Sequence, residues 1–410
     1  MLNKYNKGII KNIHQPIAFV LGSYITGLGV IRSLGRKGIP IISLDSDKNQ
    51  IGFYSKYCNG IKSPHPAYRE EAYIDLLLEI GGLLNDKGVL IPTSDVAALI
   101  ILKNKSKLLK YYNFIMSDLS VSELLINKSL FYKTLKKLNV EHPKTYYPKV
   151  EKQVLELSRE IKYPCIIKPA LSGYFRLDFK TKLFIANSRK ELIIKWKKAN
   201  KRNHEVLIQE IVPGNAESMY GVNMYYRKGF TPRNVFMYQR IREWPHDFGN
   251  GCIIQKNNIP ELEKIVIDLV SKINYHGIID AEFKKDARDN SFKLIEINAR
   301  PWMQYSLASR YGVDVAYFAY MDAIGKNVEK QHLCKEDVKW AIISDDVYSS
   351  LKKIYKKELT YHQWISSYKG KKVYAFFACD DPMPFVVLVV KSLFNLSFFD
   401  SLKCLRNAKL

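Results

Sequence analysis

The chain has 410 residues, of which 47% are hydrophobic and 25% charged, the profile of a soluble globular protein of two or three domains. Its formal net charge is +24, from 64 Lys and Arg against 40 Asp and Glu. Such a charge suits nucleic acid, a membrane surface or an anionic substrate, but a lysine-rich composition explains it equally well. The basic residues are scattered, without zinc-finger spacing, an RGG tract or an RNP-like motif, so we expect no nucleic-acid partner.

The cysteines and the apolar segments favour a cytoplasmic protein. Six cysteines lie far apart without a C-x-x-C pair, which argues against a zinc site and a disulfide framework. The N-terminal segment has no apolar stretch long enough for a signal peptide. The longest apolar segment, 384–399, is interrupted by Lys391 and Asn395 and is too short to span a membrane. We expect it to belong to the core, with contact to a membrane surface as the alternative.

The first elements in chain order predict a small doubly wound α/β domain that ends near residue 118. Segment 17–45 alternates an apolar strand, a glycine turn, a helix and a second strand, the pattern of a βαβ unit. A helix over 70–84 and a strand over 88–95 follow. Asp95 ends that strand, at the sheet edge where α/β proteins bind ligands.

The glycines of the first turn do not match a dinucleotide site. Gly22, Gly27 and Gly29 depart from the G-x-G-x-x-G spacing, although Asp45 stands where such a site has its ribose-binding acid. Binding of NAD is therefore the minor alternative. We expect these glycines to serve close packing or a different ligand.

From residue 119 the pattern changes to α+β with mainly antiparallel sheets. A helix ends before Pro143, and a short apolar strand ends at Lys168. Two strands flank the turn at 213–214, and a hairpin covers 277–301. After residue 330 comes a shorter α/β segment.

The hairpin carries the clearest chemical signal. A turn centred near Asp289 places Glu282 directly opposite Glu296, and Asp280 opposite Asn298. Carboxylates that face each other repel, so this arrangement requires a cation between them. Carboxylate and amide oxygens suit a hard cation such as Mg²⁺, which proteins commonly hold with one or two carboxylates and substrate phosphates. The alternative is a polar hairpin face in contact with water.

Polar residues upstream of the hairpin stand where a nucleotide would need them. Lys168, at the end of its strand, is placed to reach phosphate and base. Segment 206–214 ends a strand with polar groups where the backbone can pair with an adenine edge, and Glu217 can take ribose hydroxyls. Taken singly, each is better explained as a surface residue, but their order before the hairpin favours a nucleotide site.

With these elements the chain resembles the ATP-grasp enzymes, most closely the carboxylate–amine ligase branch that includes D-aspartate ligase-like proteins. The resemblance covers roughly residues 15–330 and is carried by the glycine turn, by the segments INK, IIKPA, LIQEIVPG and LIEINARPW, and by Glu282 fourteen residues before Glu296. It implies an ATP-grasp fold, α/β and α+β in class. The N-terminal Rossmann-like domain would span 1–118, the two-lobed ATP-binding region 119–329 and a small C-terminal extension 330–410.

The resemblance also implies the residues that bind Mg²⁺, for which Mn²⁺ is an alternative, and ATP. These are Glu282, Glu296 and Asn298 for the metal, Lys128 and Lys168 for the phosphates, Gln209, Glu210 and the Val212 amide for the adenine, and Glu217 for the ribose. Arg300 would contact the transition state or an acyl phosphate.

One departure from the family concerns the loop after Lys168, which in many ATP-grasp enzymes is rich in serine and glycine. Here it has a single glycine, Gly173, and several basic residues. We expect Arg176 and Lys182 to take over phosphate contacts.

Further residues are candidates for substrate binding. A glycine-rich turn has three basic residues near it, Arg240, Arg242 and His246. The guanidinium of Arg240 can bind a carboxylate or an acyl phosphate. The alternative is an ordinary basic loop. Trp302 and Gln304 flank the start of the helix after the hairpin, where an anion is favoured. Trp302 is equally well explained as core.

The predicted activity is ATP-dependent amide formation between a small-molecule or glycan carboxylate and an amine, through an acyl phosphate, with release of ADP and phosphate. Asp95 is a candidate for binding the ammonium group of the amine. The alternatives are another ATP-grasp enzyme of phosphoryl transfer or carboxylation, and a non-catalytic basic scaffold near the membrane. We expect a cytoplasmic protein, with weak association to the inner membrane surface and a homo-oligomer as open alternatives.

Overall fold

A computed structural model describes residues 4–394, except for 228–231, 233, 247, 329–333 and 335. The strands of this described part form three sheets of five, seven and four strands. The predicted combination of a parallel α/β unit with antiparallel sheets is confirmed.

The N-terminal sheet is parallel, with the order β3-β2-β1-β4-β5. Its strands are β1 (Ala18–Leu21), β2 (Ile41–Asp45), β3 (Asn59–Lys62), β4 (Gly88–Pro92) and β5 (Tyr112–Asn113). Its helices are α1 (Lys4–Lys11), α2 (Ile25–Gly35), α3 (Glu70–Gly81), α4 (Asp95–Lys103) and α5 (Lys105–Leu108). β1 buries all four of its side chains, as a central parallel strand must. The direction of the strand order changes between β1 and β4, whose carboxyl ends therefore border the crevice in which such sheets bind ligands.

The glycine turn after β1 is built for close packing. Gly22 has a φ of +106°, which favours glycine, and a Cβ on Gly27 would lie 1.9 Å from the Gly22 carbonyl oxygen. Gly29 lies against Tyr305, where a Cβ would be 3.3 Å from the ring. The packing role expected of these glycines is thus confirmed.

The smallest sheet is antiparallel, with the order β6-β9-β7-β8. Its strands are β6 (Thr145–Tyr146), β7 (Cys165–Pro169), β8 (Phe184–Ala186) and β9 (Val206–Glu210). The helices that precede or accompany it are α6 (Leu119–Ile126), α7 (Lys128–Lys137), α8 (Glu151–Glu160), α9 (Ser172–Phe179) and α10 (Arg189–Asn200).

The largest sheet has the order β14-β13-β10-β11-β12-β15-β16. Its strands are β10 (Met219–Tyr226), β11 (Val235–Trp244), β12 (Asn250–Asn257), β13 (Gly277–Lys285), β14 (Phe292–Asn298), β15 (Val338–Ala341) and β16 (Lys371–Tyr374). Its helices are α11 (Pro260–Lys272), α12 (Tyr305–Arg310), α13 (Val315–Ala323), α14 (Ile343–Tyr355), α15 (Tyr361–Ser367) and α16 (Met383–Phe394). β9 and β10 flank the turn at 213–214 but belong to different sheets, so this turn is the crossing between them.

One continuous core joins the parallel sheet to the largest sheet. It contains Val20 and Val30 of the first unit, Tyr238 of β11, and Trp302 and Tyr305 next to the hairpin. The open space between the sheets is therefore bordered by the carboxyl ends of β1 and β4 and by the face of β13 and β14.

The C-terminal segment is tied to both larger sheets. β15 pairs with β12 and so continues the largest sheet. In the buried ion pair between α2 and the segment after β16, Arg32 Nε lies 2.9 Å from Asp381 Oδ2. The division of the chain at residues 118 and 329 stays a prediction.

The apolar segment predicted to be core is exposed in its described part. In α16 the side chains of Phe385, Val386 and Val390 are 39–44% exposed and that of Leu393 is 74% exposed. The prediction is wrong for these residues because α16 follows the last strand and packs on one side only, where Lys391 donates to the Asn49 carbonyl. Residues 395–399 lie outside the described part. Within the described part, no helix combines the length and apolarity that a membrane crossing requires.

Candidate active site

The register of the hairpin is the one predicted. Glu282 pairs with Glu296 and Asp280 with Asn298 across β13 and β14, with a bulge directly after Glu282. These side chains line a cavity of about 840 Å³ between the N-terminal unit and the two antiparallel sheets.

Each of the two opposed carboxylates is paired with a cation from another element. Arg240 of β11 places Nη2 2.5 Å from Glu282 Oε2, and Lys128, the first residue of α7, places Nζ 3.1 Å from Glu296 Oε2. The Lys128 ammonium holds the pKa of Glu296 well below its usual range. Both acids are therefore neutralised by the protein itself, as opposed like charges require.

Two more lysines reach the same cavity. Lys168, at the end of β7, donates from Nζ to the hydroxyl of Tyr132 at 3.0 Å. Burial lowers the pKa of Lys168, while Glu296 and Glu282 raise it. Lys182 lies near the Gly249 carbonyl oxygen, at 3.5 Å, and burial likewise lowers its pKa. The cavity thus concentrates positive charge where phosphates would need it.

The loop after Lys168 folds as helix α9 instead of an extended flap. Phe175 anchors the helix because its ring is fully buried and contacts Phe179 and Phe184. Gly173 faces the N-terminal unit, since a Cβ there would lie 2.5 Å from the Val96 side chain. The predicted phosphate contacts, Arg176 and Lys182, both line the cavity.

The predicted adenine residues lie together at one end of the cavity. Gln209 donates from Nε2 to the Thr145 hydroxyl at 2.7 Å, and Glu210 accepts the Lys144 amide at 2.9 Å. Val212 is buried beside them, and all three predicted residues line the cavity. Glu217 is not brought there: its side chain is exposed and it is not one of the lining residues.

Arg300 connects the hairpin to the N-terminal unit. Its Nε donates to Asp95 Oδ1 at 2.7 Å, and its Nη2 donates to Asn298 Oδ1 at 3.0 Å. Asp95 begins α4 rather than ending β4, and Ser94 caps that helix by accepting the Ala97 amide. The carboxylate considered for a substrate ammonium is thus already paired with Arg300.

Of the three basic residues grouped near the glycine-rich turn, Arg240 alone lines the cavity. A β-bulge in β11 pairs Arg240 with Ile254 and Arg242 with Ile253, so the two arginines point away from each other. Arg242 is buried in a pair with Asp346, 2.5 Å away, and neither Arg242 nor His246 lines the cavity. A regular strand would have placed both arginines on one face.

Trp302 and Gln304 both line the cavity, as predicted, but Trp302 also belongs to the core. Its Nε1 is buried and has no hydrogen-bond partner within the described part of the chain. The core explanation for Trp302 is thus confirmed, and its place beside a substrate anion stays a prediction.

Asp280 is the cavity residue to which the sequence assigned no role. It is 1% exposed and accepts Nδ2 of Asn298 at 2.9 Å and Nδ2 of Asn223 at 2.7 Å. Burial and the charge of Glu282 raise the pKa of Asp280 to about 7, against the effect of these amides. The sequence indicated this position in one respect, because Asp280 shares a strand face with Glu282 and stands opposite Asn298.

Comparison with known proteins supports the geometry. No protein-family model matches the sequence. Over 324 residues, 75% of this chain and 76% of the other, the sequence is 26% identical to D-aspartate ligase from Enterococcus faecium (strain Aus0004). L-amino acid ligase from Bacillus licheniformis superposes with a TM-score of 0.60 at 15% identity, over 80% of each chain. The biotin carboxylase domain of 2-oxoglutarate carboxylase from Hydrogenobacter thermophilus, crystallised with MgADP, ADP and bicarbonate, gives 0.57 at 18% identity, over 78% of this chain and 72% of that one.

The chain has the ATP-grasp fold. The resemblance predicted from the sequence is confirmed.

The donors of this ATP-grasp cavity fit Mg²⁺. Among the described residues, no group of three or more His, Cys, Asp or Glu is arranged to hold a metal ion by itself. Two carboxylates and one amide oxygen form a hard oxygen set, which Mg²⁺ completes with phosphate and water oxygens.

Proposed function

We propose that the protein is an ATP-dependent carboxylate–amine ligase. The observation that carries this proposal is the opposed pair Glu282 and Glu296, set in a cavity that also gathers Lys128, Lys168 and three arginines. The likeness to D-aspartate ligase and to L-amino acid ligase supports a reaction that joins a carboxylate to an amine.

In the proposed reaction, a substrate carboxylate oxygen attacks the γ-phosphorus of ATP. The bond between the β- and γ-phosphates breaks and ADP leaves. The amine nitrogen of the second substrate then attacks the acyl carbon, and phosphate departs with the proton that the amine loses. No protein nucleophile takes part, so the chain contributes binding, orientation and charge.

The metal would be held by Glu282, Glu296 and Asn298, and Mg²⁺ is proposed because a solved ATP-grasp relative contains MgADP. When bound, it neutralises charge on the phosphoryl oxygens. Mn²⁺ is the alternative with the same ligand preference. Lys128 and Lys168 would contact the phosphates, and the buried end of β9, with Gln209, Glu210 and Val212, would border the adenine. Glu217 would have to turn inward to reach the ribose.

Two arginines would act on the substrate. Arg300, fixed between Asp95 and Asn298, would orient the acyl phosphate with its remaining donors. Arg240 would bind the substrate carboxylate, because its Nε is buried and has no hydrogen-bond partner within the described residues. An arginine fork matches the two oxygens of a carboxylate.

A screen for ADP release with Mg²⁺ and ATP tests the proposal. The panel pairs D- and L-amino acids and sugar acids as carboxylates with amino acids, peptides and amino sugars as amines, and includes bicarbonate alone. ADP release that requires both a carboxylate and an amine, with an amide product in the mass spectrum, is the expected result. Release with bicarbonate alone would favour carboxylation. ATP binding without ADP release for any pair would favour the scaffold alternative.

The exposed face of α16 supports an association with the surface of an anionic membrane. Phe385, Val386, Val390 and Leu393 present an apolar surface, and Lys391 is the one charged residue of this helix. The net charge of +24 complements anionic lipid, which adds to the burial of apolar side chains in an interfacial helix. Such an association would place the enzyme at the inner face of a membrane. Pairing of α16 with a second copy is the competing outcome.

A further inference from the structure

Asp280 forms the centre of a row of three polar residues across the largest sheet. Asn223 on β10 and Asn298 on β14 stand directly opposite it on the two neighbouring strands. Asn223 and Asp280 are at most 1% exposed. Asn298 is half-buried. Burial of the other two polar side chains costs free energy unless hydrogen bonds replace their contacts with water.

Asp280 acts in this row only as an acceptor. Its Oδ2 accepts Nδ2 of Asn298 at 2.9 Å, and its Oδ1 accepts Nδ2 of Asn223 at 2.7 Å. The hydroxyl of Tyr238 lies 3.5 Å from the same Oδ1, which is long for a hydrogen bond. These donors are all uncharged. Directional hydrogen bonds, and not an ion pair with any of these donors, therefore orient the Asp280 carboxylate.

The orientation of Asn298 follows from these bonds. The two ends of an amide side chain have almost the same shape, so only hydrogen-bond partners decide which end points where. Because Oδ2 of Asp280 accepts from it, Nδ2 of Asn298 is held on the Asp280 side. Oδ1 of Asn298 is left on the other side, where it accepts Nη2 of Arg300 at 3.0 Å.

We propose that Asp280 is a positioning residue that fixes the Asn298 amide so that its oxygen, and not its nitrogen, is presented to the metal. This inference rests on the proposed function, in which Asn298 is a metal ligand. The same bond positions Arg300, because Asn298 Oδ1 and Asp95 are the two side-chain acceptors of that arginine. Partners of metal ligands commonly control metal affinity without touching the metal.

The substitution Asp280→Asn tests the inference with little change in volume. The introduced amide has only one acceptor oxygen for two asparagine donors, so Asn298 is free to turn its nitrogen towards the metal. At pH 8, Mn²⁺ is titrated into ADP-saturated protein, and free Mn²⁺ is read by electron paramagnetic resonance against a protein-free ADP blank. We expect Mn²⁺ affinity to fall about 10- to 100-fold. The affinity for ADP without metal is expected to stay unchanged.

A matched control and a rescue separate positioning from general damage. Asp314→Asn changes another buried aspartate, which lies outside the cavity, accepts from Ser33 and Tyr305 and pairs with Lys37. It is expected to leave Mn²⁺ affinity unchanged. The exchange Asp280→Asn with Asn298→Asp restores one carboxylate facing one amide and keeps an oxygen at position 298. The exchange is expected to recover most of the lost Mn²⁺ affinity. Asn298→Asp alone brings two carboxylates together and is expected to recover none of it.

The outcomes distinguish this inference from the proposed function. If the unsubstituted protein with ADP does not bind Mn²⁺, the proposed metal site fails. If it binds Mn²⁺ and Asp280→Asn binds it equally well, the positioning role is overturned. Loss of Mn²⁺ affinity in Asp280→Asn that the exchange does not recover also overturns it, because that pattern indicates only a damaged fold.

Discussion

Glu282 and Glu296 stand directly opposite each other on neighbouring strands, and each is met by a cation from outside the hairpin. Arg240 pairs with the first and Lys128 with the second. A metal bound by both carboxylates would take over this neutralisation. The cations would then be available to the phosphates and the substrate, so metal binding and the position of Arg240 would be coupled.

The first prediction concerns Glu296. Glu296→Gln keeps the shape but removes a metal ligand and the partner of Lys128, so we expect Mg²⁺-dependent ADP release to fall by about 100-fold or more. Circular dichroism is expected to show a folded protein. Glu141→Gln, at an exposed ion pair with Lys293 beside the same hairpin, serves as the control and should retain activity. Full activity in Glu296→Gln would overturn the metal assignment.

A second prediction compares the two arginines of β11. Arg240→Met leaves the half-buried Glu282 without its cation, and Arg242→Met removes the cation from the fully buried Asp346. We expect the free energy of unfolding to fall by roughly 3–5 kcal/mol in Arg242→Met and by less in Arg240→Met. Thermal unfolding is measured with and without Mg²⁺ and ADP. We expect Mg²⁺ and ADP to restore stability in Arg240→Met, because a metal replaces the lost cation, and not in Arg242→Met. Equal restoration in both variants would contradict the site.

The third prediction concerns the contact between Arg300 and Asp95. Asp95→Asn removes the charge that holds Arg300 Nε, and a hydrogen bond to a charged group is worth about 1.5–3 kcal/mol. We expect kcat/KM for the ligase reaction to fall about tenfold or more, with ADP affinity unchanged. The exposed Asp118, paired with Lys105 in the same unit, provides the control Asp118→Asn. An equal drop in ADP affinity would show that Asp95 acts on the nucleotide instead.

A fourth prediction concerns the glycine turn. In Gly27→Ala the new methyl group would meet the Gly22 carbonyl oxygen at 1.9 Å, so the chain must shift. We expect the free energy of unfolding to fall by about 1–3 kcal/mol, measured as a lower midpoint in urea. Gly8→Ala, in α1 and with open space around it, should be neutral or stabilising by about 0.5–1 kcal/mol. No difference between the two would argue against the packing role.

The last prediction concerns α16. Wild-type protein is expected to float with vesicles that contain anionic lipid at low salt, and to remain at the bottom of the gradient with neutral vesicles. Replacing Val386, Val390 and Leu393 by serine should abolish flotation. Ile194→Ser, at an exposed position of α10, is the matched control. Dimerisation without flotation, lost in the triple variant, would assign this face to a second copy.

The hairpin was predictable from sequence because strand alternation and a polar turn fix the register of an antiparallel pair. Glu282 opposite Glu296 and Asp280 opposite Asn298 follow from those two features alone. The β/α order of the first unit was predictable for a similar reason, since each apolar run ends at a turn. In these elements local pattern and tertiary packing agree.

Other features depend on tertiary contacts that no periodic pattern in the sequence indicates. The bulge in β11 separates Arg240 from Arg242, although a regular strand would place residues two apart on one face. The position of Glu217 relative to the cavity depends on the crossing between two sheets. The exposure of α16 depends on what packs against it, because an apolar helix has the same composition inside a core and on a surface.

The bulge in β11 directs two arginines of one strand to different parts of the protein. Arg240 faces the cavity, while Arg242 holds Asp346, which also accepts from Trp364 and Tyr368 of the C-terminal segment. A ligand that draws Arg240 away from Glu282 therefore acts on the same stretch of backbone that anchors α14 and α15. We expect the protease sensitivity of these two helices to change when the cavity is filled, which would make them a reporter of occupancy.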